Sequence, residues 1–255
     1  MFETEAPLVG RRQVARDMWV LAFEARDIGH SALAGQFVNV GLRPGPLLRR
    51  PFSVYSGGDT VEILLKAVGI GTDQLLDLQV GDKVNLLGPL GRGFDLAPGG
   101  DVVLLSGGLG VAPMPLAAKQ AKLLGCRVHW AHGARTAADL CVEWHGDLIT
   151  QATDDGSAGL QGSVLNVVPA DDAAQAAQVL ACGPNPMLKA VADRWPDAQV
   201  ALETYMGCGT GVCLGCAVPL RSGGYDRACK EGPVYRAADV DWPSLPGHLH
   251  YSATR

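Results

Sequence analysis

No stretch of the 255 residues reaches the ~18 uninterrupted apolar positions that a membrane-spanning helix requires. The most apolar segment, 102–118, is broken by Ser106, Gly107, Gly108, Gly110, Pro113 and Pro115. A basic run is also missing. With 21 Lys and Arg against 26 Asp and Glu, the net charge is −5, which leaves no electrostatic footprint for nucleic acid. The N-terminus, MFETEAPLVG, has no basic region ahead of its apolar residues, so a secretory signal is not expected and a cytoplasmic location is. There is no internal repeat, and the Ala-rich run 170–177 is too short for a low-complexity tract and reads as a surface helix turn. No acid, base or nucleophile constellation stands out. His30, His129, His132, His145, His248 and His250 form two loose pairs without acids at metal-ligand spacing, so they read as exposed or core histidines and no catalytic side chain is expected.

What is present is a globular composition, 47% hydrophobic and 18% charged, on a chain long enough for two or three domains. Residues 1–97 carry short apolar or alternating runs at 36–40, 52–55, 61–67 and 83–87. GLRPGP, SGGD and GPLGRG separate them, and the pattern predicts a small antiparallel β-barrel. Over 98–200 strands and helices alternate: DVVLLS, PMPLAAKQAKLL, RVHWA, a helix near 139–148, QVLACG and NPMLKAVADRW, then VALET. That order predicts an α/β domain with a parallel sheet. Residues 201–255 turn rich in Gly and Cys, with little periodicity, as a small metal-stapled module does.

Seven cysteines is an odd number, and four of them crowd the last fifth of the chain. Cys208, Cys213 and Cys216 follow C-x4-C-x2-C, with Cys229 after twelve intervening residues, and glycines stand at 207, 209, 211 and 215. Plant-type [2Fe-2S] sites have this spacing and a distant fourth cysteine, whereas structural zinc usually draws on two separated pairs. The spacing therefore predicts an iron-sulfur cluster, with a zinc-stapled interaction module as the rival. Cys126, Cys141 and Cys182 are isolated and read as small buried side chains.

Gly107-Gly108-Leu109-Gly110-Val111-Ala112-Pro113 follows the strand DVVLLS and leads into a helix. Glycines there let backbone amides approach a pyrophosphate, and a proline suits the first helical turn. The loop departs from GxGxxG, and the next strand ends HWAHGAR without the acid that grips a ribose in a standard dinucleotide site. Cys182-Gly183-Pro184-Asn185-Pro186-Met187 repeats the strand-to-turn pattern, and two such loops at one carboxyl edge would line one crevice. In the barrel half, Arg49-Arg50-Pro51-Phe52-Ser53 places guanidinium groups suited to phosphate on one strand. Alternation there sends Phe52 to the face opposite Pro51 and Ser53. Gly69-Ile70-Gly71-Thr72 opens a predicted helix, TDQLLDL, whose first amides could meet a second phosphate.

The order RRPFSV with GIGT, then GGLGVAP with CGPNPM, then the four-cysteine module ending CKEGPVY resembles the ferredoxin-reductase-like flavoproteins. Within them it is most similar to the electron-transfer subunits of two-subunit, NAD-linked dihydroorotate dehydrogenases, from about residue 5 to about residue 240, TDDGSAGLQGSV at 153–164 included. The resemblance implies that Arg50, Pro51, Phe52 and Ser53 bind FAD, Ser53 near its reactive edge, and that Gly69, Gly71 and Thr72 hold its pyrophosphate. It implies that Gly107, Gly108, Gly110 and Pro113 form the NAD loop and that Cys182, Gly183, Pro184 and Met187 face the nicotinamide. Many reductase-type relatives carry Tyr where Phe52 stands, so a hydroxyl contact to the flavin is lost here. Arg135 could meet a 2′-phosphate, so NAD rather than NADP follows from the resemblance alone.

It implies, further, a hetero-oligomer, as in a heterotetramer, with a catalytic FMN subunit. Electrons from dihydroorotate would pass through a [2Fe-2S] cluster on Cys208, Cys213, Cys216 and Cys229 to FAD and NAD⁺, and this chain alone would not oxidise dihydroorotate. Related subunits feed other oxidoreductases or soluble carriers, which is the alternative reading.

Overall fold

The computed structural model describes residues 1–141, 143, 145–168 and 178–245. The first six strands are β1 (Phe2–Ala15), β2 (Met18–Glu24), β3 (Phe37–Gly41), β4 (Arg50–Ser56), β5 (Thr60–Lys66) and β6 (Lys83–Leu90). They close an antiparallel barrel in the order β1-β2-β5-β4-β3-β6. The two N-terminal strands are not evident in the sequence. Charges, Pro7 and Gly10 interrupt the apolar alternation of β1, which is long enough to pair with β6 through residues 2–7 and with β2 from Leu8 onward. Helices α1 (Arg26–Ser31) and α2 (Ile70–Asp77) lie in the barrel connections, α2 where TDQLLDL predicts one.

The second sheet contains β7 (Asp101–Gly107), β8 (Arg127–Ala134), β9 (Leu148–Thr153), β10 (Leu160–Gln161), β11 (Gln178–Cys182) and β12 (Gln199–Ala201). These six strands are parallel. Helices α3 (Met114–Leu123) and α4 (Asn185–Arg194) follow β7 and β11. The described residues of 139–148 do not form the expected helix. Its place holds a 3-10 turn, Ala137–Asp139, then a strap that lays Asp139 and Glu143 against the barrel, and β9 begins at Leu148. Leu140 and Cys141 are buried there, Cys141 within the barrel-side core cluster. The run 170–177 lies outside the described residues, as do His248 and His250.

In the C-terminal segment β13 (Ala217–Pro219) and β14 (Tyr225–Arg227) form a two-stranded ribbon, and β15 (Val234–Arg236) joins the large sheet antiparallel to β12. The sheet order is β10-β9-β8-β7-β11-β12-β15.

Alternation on β7 divides the core. Val102 and Leu104 join the barrel-side cluster, whereas Val103 and Leu105 face the other way. The second cluster also contains Val200, Val218, Ala228, Tyr235 and the cysteines Cys216 and Cys229, so the C-terminal segment shares the apolar core of the sheet. Among the described residues, no helix is long and apolar enough to cross a membrane.

Candidate functional site

A cleft of about 340 Å³ runs between the barrel and the carboxyl edge of the parallel sheet. Arg50, Pro51, Phe52 and Ser53 all line it, with Val68, Gly69, Gly71 and Thr72 beside them. Alternation does not keep Phe52 out of the cleft. Residues 50–53 pair with β3 on one side only, because β4 first meets β5 at Val54, and the cleft enters through that open edge to touch both faces of the strand.

The amino end of α2 is built by Thr72. Its hydroxyl accepts from the Val68 and Gly69 amides at 2.8 and 3.1 Å and donates to the Gly69 carbonyl at 2.8 Å. A side chain at position 71 would come within 2.9 Å of Arg50 Nε, so only glycine leaves the guanidinium lying over this helix end. Arg50 is held from the other side by its bond to the Leu48 carbonyl at 2.6 Å. A fixed cation and the first turn of a helix thus face one point, an arrangement suited to a phosphate.

A second cleft, about 480 Å³, shares Lys66 and Leu109 with the first. Gly107, Gly108, Pro184 and Met187 line it together with Gly133, Ala134, Arg135, Asp139 and Asp154. The two glycine-bearing turns meet here. A Cβ on Gly110 would stand 2.2 Å from the Cys182 carbonyl oxygen, and one on Gly107 would stand 2.6 Å from Met187 Sδ. Gly110 and Gly183 serve this close approach, while Pro113 caps α3 and does not line the cleft.

The sequence pattern does not point to Glu203, which lines the first cleft beside Cys182. Its signal is the register. Ser106, Cys182 and Ala201 lie level across β7, β11 and β12, so the residues just after VA in β12 must reach the same crevice. The cleft walls desolvate the Glu203 carboxyl and push it above its usual range, although the residue is open to solvent on its cleft side. Burial raises the Cys182 thiol, and Glu203 adds to the effect, so Cys182 remains a neutral thiol. His132 is fully buried, with Nδ1 2.9 Å from Ser106 Oγ, and burial lowers its pKa to about 4. It belongs to the core, as expected of the histidines.

The four late cysteines form two pairs. The Cys208 amide donates to Cys213 Sγ at 3.5 Å and the Cys213 amide to Cys208 Sγ at 3.4 Å, while Cys216 and Cys229 Sγ lie 3.2 Å apart. Thr210 and Gly215 amides also point at Cys208 and Cys213 sulfur, at 3.4 and 3.5 Å. Burial acts to raise the Cys208 thiol, yet the Thr210 and Cys213 donors overrule it and bring it down to about 5. Among the described residues, no three His, Cys, Asp or Glu side chains converge on a single-ion position. Two thiol pairs with inward amides fit a binuclear cluster, which takes four thiolates, two to each iron. The loop is fastened to the barrel by Asn39, whose Nδ2 donates to the Cys208 carbonyl at 3.2 Å, and Arg227 grips the Gly211 carbonyl at 3.0 Å.

Comparison with known proteins agrees with this arrangement. Residues 203–241 match the iron-sulfur cluster binding domain of dihydroorotate dehydrogenase B. The chain is 37% identical over 257 residues to the dihydroorotate dehydrogenase B (NAD(+)) electron transfer subunit of Desulforamulus reducens, covering 93% of this chain and 98% of that one. The chain belongs to this family of electron-transfer subunits. The Bacillus caldolyticus member is 38% identical over 249 residues, 91% of this chain and 96% of its own. Among solved structures, a chain of the NADH-dependent reduced ferredoxin-NADP oxidoreductase superposes with TM-score 0.84 at 28% identity, over 95% of this chain and 91% of that one. A ferredoxin NADP⁺ reductase from Neisseria gonorrhoeae, at 22% identity and TM-score 0.60 over 75% of this chain and 89% of its own, shares the fold.

Proposed function

We propose that this chain is the electron-transfer subunit of an NAD-linked dihydroorotate dehydrogenase, carrying electrons between a partner flavin subunit, its own [2Fe-2S] cluster, FAD and NAD(H). The observation that carries the reading is the meeting of the two clefts at Lys66 and Leu109, with the cysteine loop fastened to the same barrel through Asn39. When bound, the flavin supplies the conversion between the two-electron chemistry of nicotinamide and the one-electron chemistry of a cluster. The protein supplies the placement. Arg50 with Gly69, Gly71 and Thr72 seats the FAD pyrophosphate, and Pro51, Phe52 and Ser53 line the flavin's side of the cleft. Gly107, Gly108 and Gly110, with Pro113 starting the helix, form the loop for NAD. Cys182, Gly183, Pro184 and Met187 make the turn between the two ligands, and Cys182 presents a neutral, non-nucleophilic surface there. Cys208, Cys213, Cys216 and Cys229 hold the cluster. These roles divide the chain into three working regions, 1–97 for FAD, 98–200 for NAD and 201–255 for the cluster.

The partner surface is the exposed rim of the cysteine loop. Val212 and Leu214 flank Cys213 at 82% and 64% exposure, a pair of apolar side chains at the cluster's edge. The partner proposed is a catalytic FMN subunit that performs the pyrimidine chemistry, in a hetero-oligomer located in the cytoplasm. A second reading, service to another oxidoreductase or a soluble carrier, draws on the similarity to the ferredoxin-NADP oxidoreductase chain.

The test is the visible spectrum of anaerobically purified chain, with iron, zinc and flavin quantified on the same sample and NADH added last. Flavin bands over broad iron-sulfur absorption, both bleached by NADH, are expected. A colourless zinc protein, even after anaerobic reconstitution, would overturn the assignment. Dihydroorotate-dependent NAD⁺ reduction that requires an added FMN subunit separates the first reading from the second.

A further inference from the structure

The NAD cleft ends, beyond its glycines, at Arg135, a cation that by itself would favour a dinucleotide with a 2′-phosphate. No acid stands at the end of β8, where a ribose-gripping carboxylate is usual. The fold brings two from other segments, and a role for them in dinucleotide choice rests on the assignment of this cleft to NAD.

Asp154 lies just after β9. Its amide bonds the Ala134 carbonyl at 3.1 Å and the Asp155 amide bonds the Arg135 carbonyl at 3.3 Å, which lays this segment along the end of β8. The two neighbouring acids are used differently. Asp155 Oδ1 accepts from the Ser157 amide at 3.0 Å and from its hydroxyl at 2.6 Å, so it is occupied within its own turn. Among the described residues, the Asp154 carboxylate makes no hydrogen bond or ion pair, and Asp154 lines the cleft.

Asp139 reaches the same cleft from the strap and is only 4% exposed. Its Oδ2 accepts from Arg16 Nη2 of the barrel at 2.8 Å and from Thr136 Oγ1 at 2.9 Å, while Oδ1 is buried with no partner. Burial would raise this carboxyl. The Thr136 and Arg16 bonds and the nearby Arg135 charge overrule burial and keep it below its usual range.

We infer that Asp154 and Asp139 together read the adenosine ribose of the dinucleotide, accepting hydrogen bonds from its free hydroxyls and rejecting a 2′-phosphate, so that the chain uses NAD(H) in preference to NADP(H). An ionised carboxylate only accepts, and a ribose hydroxyl can donate to it. A phosphate monoester brings a charge of about −1.5 to −2 at neutral pH and little to donate. The two acids offset Arg135, the group that would otherwise welcome that charge. Arg16 is then a positioning residue, through which the barrel helps to set the selectivity of a site on the other sheet.

The experiment uses the full chain loaded with FAD and cluster. Dissociation constants for NAD⁺ and NADP⁺ are measured by calorimetric titration, beside kcat/KM for NADH and NADPH in dye reduction. The variants are Asp154→Asn, Asp139→Asn and Asp155→Asn. Wild type is expected to prefer NAD⁺, and D154N to erode that preference by about tenfold, mainly by tightening NADP⁺. D155N removes the same charge one residue away and should change the ratio by less than about twofold. D154N alters an exposed side chain, so the test stands even if D139N fails to fold. A ratio unmoved in D154N, or moved equally in D155N, overturns the inference while leaving the cleft assignment intact. A wild-type chain that binds neither dinucleotide overturns both.

Discussion

Glu203 is a carboxyl whose surroundings work against its charge, and the consequence can be measured as stability. Its folded-state pKa lies above the ordinary value of 4.5, so the folded chain holds this proton more tightly than the unfolded chain does. The resulting contribution to stability is fully present below the unfolded pKa and is lost as pH rises through the folded one. Glu203→Gln, neutral at every pH, escapes the loss. Urea unfolding of wild type and variant between pH 4.5 and 8 should therefore show E203Q gaining on wild type as pH rises, and parallel curves would sink the argument. Glu143 shows the opposite sign. The Arg12 guanidinium, with help from Tyr55, overcomes partial burial and holds this carboxyl below its ordinary 4.5. Its contribution is present above the unfolded value and is lost as pH falls through the folded one. Glu143→Gln should cost about 1 kcal/mol at pH 7, a figure discounted for the part-exposed Arg12, and the gap to wild type should close on acidification below pH 4.5. Thermal unfolding at pH 7 and pH 3.5 would show whether it does.

At the scale of elements, the strap between β8 and β9 couples barrel to sheet through Glu143, which meets Arg12 at 2.5 Å and the Tyr55 hydroxyl at 2.7 Å, while Arg12 also binds Glu62. The turns after β7 and β11 approach closely because Gly107, Gly110 and Gly183 carry no side chain. Gly110→Ala should force the backbones of residues 110 and 182 apart, lowering stability by about 1 to 3 kcal/mol and weakening NAD⁺ binding while flavin content holds. Calorimetry for the first two quantities and absorbance for the third would check this, and an unchanged affinity would mean that the loop adapts. The parallel strands and their helices are legible in the sequence because each is a local period, as in DVVLLS and PMPLAAKQAKLL. The cysteine spacing is legible for the same reason. The strap is not, since Leu140 and Cys141 are buried through contacts distant in sequence, and apolar residues in a short window look helical when their partners are elsewhere. Asp139, Asp154 and Glu203 are equally hidden. Nothing local marks an acid whose place is set by the register of strands and by a neighbouring domain.

For the whole molecule, the cysteine loop presents its apolar rim outward while its other side is buried in the sheet's core. Leu214 sits in the left-handed region, at φ 58°, where Asp is better tolerated than Leu. Val212→Asp with Leu214→Asp should then fold, retain the cluster and reduce dye with NADH at the wild-type rate, yet lose stable association with the FMN subunit. Size-exclusion chromatography of the mixed subunits, with dihydroorotate-driven NAD⁺ reduction on the same samples, tests this directly, and an intact complex would move the interface elsewhere.

The antiparallel addition of β15 to β12 has a consequence in the order of synthesis. Residues 234–236 emerge from the ribosome after Cys229, so the edge of β12 stays open until all four cysteines have been made. Completion of the large sheet and availability of the cluster ligands therefore coincide. A chain stalled or cut before residue 234 carries both an unfinished sheet and an unanchored cysteine loop, and the cell's quality control would meet the two defects as one.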